Sequence, residues 1–256
     1  MRDMLFLGAF AATFALTGCD GNPRGQNDAP GSESGTATGG DASGALRVQR
    51  AEIMDRRGFE KPMVAYTMFV PVGWESSGEV EYNSQNACGP DPRLNWKATA
   101  PDGLGAITII PEEKWSSGNF PQPPDNCLHS RVDGMRGYLE WWVQRNRPGA
   151  TILDYRERPE LKAAYKNLER DANGMRSWAD AGEMLIGYEI NGKPVRESIT
   201  NSVFFMHTRF PSLGQGQAME LLQGMTGPGF AMRMPNGQLD FNAAEAVRQS
   251  IRSAPE

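Results

Sequence analysis

Histidine is nearly absent from the chain. Its 256 residues hold two, His129 and His207, which excludes a multi-histidine metal site. No stretch concentrates lysine and arginine. With 26 of them against 31 acidic residues, the formal net charge is -5, and a chain without a basic patch is not built for nucleic acid. Long apolar runs are missing too: residues 4–15 form the best one, and it falls short of the roughly 20 residues a permanent transmembrane helix needs. Cysteine is scarce, with Cys19, Cys88 and Cys127 alone. No catalytic or cofactor motif stands out, so neither a catalytic residue, a metal nor a cofactor is expected.

What is present begins at the N-terminus. Arg2, the apolar run of 4–15 and then Leu16-Thr17-Gly18-Cys19 have the layout of a secretory signal peptide. The Leu-Thr-Gly-Cys ending resembles the lipobox of bacterial lipoproteins. That resemblance implies a leader of residues 1–18, a diacylglyceryl group on the Cys19 thiol and a membrane partner reached through that lipid. An ordinary signal peptide that happens to contain a cysteine is the plainer alternative. Asp20, directly after Cys19, resembles the signal that retains lipoproteins in the inner membrane, which implies a periplasm-facing protein of the cell envelope.

Residues 19–45 are mostly Gly, Ser, Ala, Thr, Asn and Asp and bury too little apolar surface to offset the entropy of ordering. They are expected to form a flexible linker, and about 26 such residues span ~25–30 Å. Residues 46–256 remain as one domain, roughly 210 residues and large enough for a proper core. Outside the cytosol disulfides persist, so Cys88 and Cys127 are expected to form a bridge. Closing a loop of about 40 residues corresponds to ~4 kcal/mol in the chain-entropy account.

Strand signals lead the domain. Residues 51–55 and 63–70 are rich in β-formers, 78–83 alternate, and 94–100 and 105–110 flank the turn Pro101-Asp102-Gly103. A proline-rich loop is expected from Pro111 to about Ser130. Val132, Met135, Tyr138, Leu139, Trp142 and Val143 then recur at helical steps up to Arg147-Pro148-Gly149. A strand at 150–155 and a short helix carrying Leu161, Ala164, Tyr165 and Leu168 follow, ending near Asn173-Gly174. Three strand-like runs come next, 177–190, 195–209 and 217–226, the first two meeting at the hairpin signal Asn191-Gly192. A last run at 229–235 precedes a helix with Phe241, Ala244, Val247 and Ile251 on one face.

This order implies an α+β fold, a twisted antiparallel sheet packed with helices. Phe69-Val70-Pro71-Val72-Gly73-Trp74, a strand running into proline, glycine and tryptophan, resembles the entry of PsbP-like domains, as does the closing strand plus helix. The resemblance implies an α/β/α sandwich that binds other macromolecules and carries no catalytic residue. Residues 84–173 are longer than that compact pattern.

Several residues invite sharper readings. Cys127-Leu128-His129 has the elements of a thiolate beside its base, but Cys88 is the better partner for Cys127. Glu112 and Glu113, with Asp91, Asp125 and Asp133, define the alternative of an envelope hydrolase with an acidic site in the 111–133 loop. Met219, Met225, Met232 and Met234 suit core filling better than a copper site. Trp74, Trp96, Trp115, Phe120 and Trp141 are the candidate anchors for a protein or small-ligand partner. Trp141, beside the stripe residue Trp142, is expected to project partly outward. The leading reading is a membrane-tethered binding module.

Overall fold

The computed structural model describes residues 47–57, 60–82, 92–119, 128–211 and 217–254, all within the unit Ala45–Glu256. The expected Cys88–Cys127 bridge, the expected lipidation site Cys19 and the candidate anchor Phe120 lie outside the described residues. Strands β1 (Val48–Asp55), β2 (Met63–Pro71), β3 (Glu75–Glu81), β4 (Arg93–Thr99) and β5 (Ala106–Ile110) follow one another. Then come β6 (Lys114–Gly118), β7 (Leu128–His129), helix α1 (Met135–Asn146) and β8 (Thr151–Glu157). One turn of helix, α2 (Pro159–Lys162), runs into a 3-10 segment (Ala163–Leu168). The remainder is β9 (Arg170–Ala172), β10 (Met175–Ile190), β11 (Lys193–Phe210), β12 (Met219–Thr226), β13 (Gly229–Pro235), α3 (Phe241–Gln249) and β14 (Arg252–Ser253). The fold is α+β and dominated by a curled sheet.

The long hairpin of β10 and β11, 16 and 18 residues, is the spine. Asn191 and Gly192 close it with φ of 52° and 74°, the left-handed pair that a tight hairpin requires and that Asn-Gly supplies with little strain. Asn173 and Gly174, at φ 55° and 75°, do the same between β9 and β10, where Ala172 pairs Met175. The second Asn-Gly, expected from the sequence to end a helix, thus also opens a hairpin. The helix itself is shorter than expected, because 163–168 tighten into 3-10 geometry.

The predicted loop after Pro111 is corrected by the structure, since β6 lies inside it. Residues 106–118 act as one interrupted strand against 219–235: Ile110 pairs Gly229, and Lys114 pairs Met225 in the same register. Between those pairs Pro111 and Pro228 face each other. Neither has an N–H to give a ladder, so both strands break at the same place with no donor wasted. Pairing resumes at once, with the Thr226 N–H donating to the Glu113 carbonyl at 3.0 Å and the Glu113 N–H to the Thr226 hydroxyl at 2.9 Å.

This break divides the sheet. On its inner side a three-stranded sheet, β1-β2-β14, and α3 cover β3, β4, β5 and β13 around Ile53, Met68, Trp96, Ile107, Ile109, Phe230 and Val247. On the opposite face α1 lays its stripe of Met135, Tyr138, Leu139, Trp142 and Val143 over Met184, Ile186, Ile199, Val203 and Phe205. The α1 stripe therefore starts one turn later than Val132. Its first N–H, on Met135, is capped from the sheet by the Asp180 carboxylate at 2.7 Å. Helix α3 caps itself, with Asp240 accepting from Asn242 and Ala243.

Candidate functional site

Two of the expected partner anchors are interior. Trp115, 0% exposed, stacks on Tyr138 with centroids 4.9 Å apart, meets Trp141 and Phe205 edge-on and donates its indole N–H to the Val132 carbonyl at 3.0 Å. A Cβ at Gly224, its cross-strand partner, would lie 2.3 Å from the Trp115 ring, so glycine is what admits the indole. Trp96, 2% exposed, is in the other core. Neither reaches the surface that a partner would touch. Trp74 is half-buried at the margin of the inner core, its ring against Gly105. Trp141 is half-buried, with the Arg145 guanidinium 3.8 Å over its ring, a cation–π pair.

The acidic residues separate. Glu113 accepts from the Arg145 guanidinium at 2.7 Å and the Tyr138 hydroxyl at 3.0 Å. Burial, then the Glu113 charge, pushes the Tyr138 phenol far up. Burial also raises the Glu112 carboxyl, against the opposing pull of its own and the Leu94 amides and of Arg93. Glu112 Oε2 is buried without a hydrogen-bond partner. Asp133 goes elsewhere, Asp91 and Asp125 lie outside the described residues, and His129 is exposed on β7. Among the described residues no group of three His, Cys, Asp or Glu side chains is disposed to hold a metal ion.

Asp133 lines a cavity of about 490 Å³ on the α1 side of the outer half-sheet. Its floor is Trp178 of β10, His207 of β11 and Leu222 of β12. Ser117, Gly118 and Asn119 at the end of β6, Arg131 and Asp133 of the segment leading into α1, and half-exposed Glu220 complete the lining. Strand pairing explains the meeting of residues so distant in sequence: Leu222 is flanked by His207 on one side and Ser117 on the other. Asn119 extends β6 with its side chain, donating to the Ala218 carbonyl at 2.9 Å and accepting from the Glu220 N–H at 2.7 Å. Trp178 stacks on Phe205 at 5.1 Å, with the Arg176 guanidinium 5.1 Å from its ring. Glu220 stands 3.8 Å from His207 and 3.6 Å from Arg209, loose ion-pair contacts longer than hydrogen bonds.

The cavity joins an aromatic floor to polar groups of both signs, the usual construction of a small-ligand site. Nucleophilic catalysis is poorly served. Ser117 and His207 stand two strands apart, about 10 Å between backbones, with Leu222 between them. Asp133 is a candidate from the sequence on other grounds, His207 enters there only in the histidine count, and Trp178 and Glu220 carry no motif. Their signal was alternation: each faces the helix side of its strand, where an apolar residue is the ordinary occupant.

Comparison with protein-family models finds no match to this chain, and comparison with curated proteins finds none either. The class defined by fold and site is an α+β protein whose curled sheet, antiparallel except where β6 pairs β7, carries a helix-side cavity.

Proposed function

We propose that this protein is a lipid-anchored binding protein of the bacterial envelope, held in the inner membrane by acylated Cys19 and facing the periplasm. The helix-side cavity takes a small polar ligand. The observation that carries the binding reading is the cavity itself: Arg131, Asp133, His207 and Glu220 converge on one space over the Trp178 ring, and side chains of both signs are not gathered there by any need of the core. The finer PsbP-like reading is supported by helices on both faces of the main sheet, α1 on one and α3 on the other. The hydrolase alternative loses ground because Glu113 is occupied by Arg145 and Tyr138.

A thermal-shift screen tests the binding. Amino acids, mono- and disaccharides and muropeptides are added to the mature chain, and one class should raise the melting temperature. Saturation at a hundred times Kd corresponds to about 2.7 kcal/mol. Arg131→Gln and Asp133→Asn should each weaken that response. A flat response to every class at millimolar concentration would overturn the reading. The anchor is tested separately by Cys19→Ala, which should abolish lipid labelling and release the protein from membranes.

A further inference from the structure

The face of the outer half-sheet opposite the cavity has a different chemistry. Alternation sends Trp178, Phe205, His207 and Leu222 to the helix side, so Met175, Phe204, Met206, Phe210, Met219, Leu221 and Met225 point the other way, across three paired strands. The 3-10 segment covers part of this face: the Tyr165 ring stacks on Phe204 at 6.3 Å, and the Leu168 carbonyl accepts from the Ser177 hydroxyl at 2.8 Å. Beyond that cover Met175, Phe210, Met219 and Met225 are 40%, 42%, 39% and 42% exposed, and Leu168 on the covering segment is 44% exposed. Single exposed apolar side chains are ordinary, but a contiguous group on one face marks an interaction surface.

Charge narrows the occupant. In a protein of net charge -5, the strand residues directed to this face include no acid among the described residues of β6, β9, β10 up to Ala179, β11 from Ser202, and β12. They do include Lys114, which pairs Met225, and Arg170, which pairs Ser177. Lys166 is exposed on the covering segment and Lys162 on the helical turn before it, where Glu160 and Glu169, one at each end of this stretch, balance them, so the surplus of positive charge rests on Lys114 and Arg170. The acids of the same strands, Asp171 and Glu220, are on the helix side. Apolar side chains able to sink to headgroup depth, beside cations and with no acid on the strand face itself, suit an anionic lipid surface. Methionine adds adaptability where a partner offers no fixed shape.

We propose that this face, centred on Phe210 and Met219, docks on an anionic bilayer, leaving the cavity turned away from the lipid. The inference stands on the surface alone and does not need Cys19 acylation, although that lipid would hold the domain within reach of it.

The test uses the mature chain from Asp20 without its lipid, mixed with vesicles of phosphatidylglycerol and phosphatidylethanolamine or of phosphatidylcholine alone. Co-sedimentation should be about tenfold stronger with the anionic vesicles at low ionic strength and should fall with added salt. Phe210→Ser with Met219→Ser should abolish it. Lys114→Gln with Arg170→Gln, which leaves the apolar residues in place, should weaken it to the phosphatidylcholine level. Arg136→Gln on α1 should change nothing. Absence of binding to anionic vesicles, or binding equal in the wild type and both double variants, would sink the proposal. So would a concentration-dependent dimer that the Phe210 and Met219 changes dissolve, since the face would then belong to a second copy. Because no lipid anchor is present, none of these outcomes bears on Cys19.

Discussion

The two halves of the main sheet, inside and outside the facing prolines Pro111 and Pro228, differ in what their second face meets. The inner half is packed against the three-stranded sheet and α3, with Ile53, Ile107 and Ile109 at 0–1% exposure. In the outer half, α1 covers one face only as far as Phe205 and Trp115. Beyond them lie a polar cavity on that face and exposed methionines on the other. Packing on both faces gives a structural core. Strands that continue past their cover become surface available for contact, and here the same three strands supply two kinds.

The comparison can be broken most forcefully at Trp115, the aromatic that anchors α1 at the border of the two halves. Trp115→Ala should cost roughly 3–5 kcal/mol by urea unfolding, as large aromatic truncations in cores do. A loss under about 1 kcal/mol would mean that the outer half is not packed through this ring.

A smaller effect separates buried from exposed charge. Glu197, whose side chain is 2% exposed, receives Arg147 in a bidentate pair at 2.7 and 2.8 Å and the Tyr188 hydroxyl at 2.7 Å. Glu197→Gln leaves that guanidinium without its counter-charge and should cost about 3 kcal/mol. Glu220, half-exposed in the cavity lining, should give less than about 0.5 kcal/mol when changed to Gln. Equal losses at the two positions would erase the distinction between core and site.

Another effect concerns pH. Arg248 first, then Arg158 and Gln249, hold the Glu245 carboxyl at about 2 from an ordinary 4.5, against the opposing effect of burial. A depressed folded-state pKa contributes stability that is present above the unfolded value and lost as pH falls through the folded one. The window is therefore about 4.5 down to 2. Melting temperatures of wild type and Glu245→Gln should differ at pH 6 and converge towards pH 2, and a constant difference would show that Glu245 acts through packing alone.

Element types were largely legible in the sequence because they are local. The 3.6-residue stripe of Met135, Tyr138, Leu139 and Trp142 marks α1, and Asn191-Gly192 marks the central hairpin, since a helix face and a left-handed turn are both decided within a few residues. Lys114–Gly118 was hidden because proline-rich neighbours look like loop and its partner β12 lies more than a hundred residues on. The tryptophans were equally silent about depth: Trp96 and Trp115 read as candidate anchors, and only cross-strand partners such as Gly224 place them inside.

What the sequence determined by itself was the α+β class, the position of the turns and the helix-side periodicity, all set by backbone preference and short-range patterning. The tertiary structure alone decided that Pro111 meets Pro228, that Arg131 and Asp133 line one cavity with Trp178 and His207, and that Met175, Met219 and Met225 share one partly covered face. The reason is that strand pairing is a relation between distant segments. A residue's alternation tells which way it points relative to its neighbours in the strand, and only the pairing and the layers laid on it tell what it meets there.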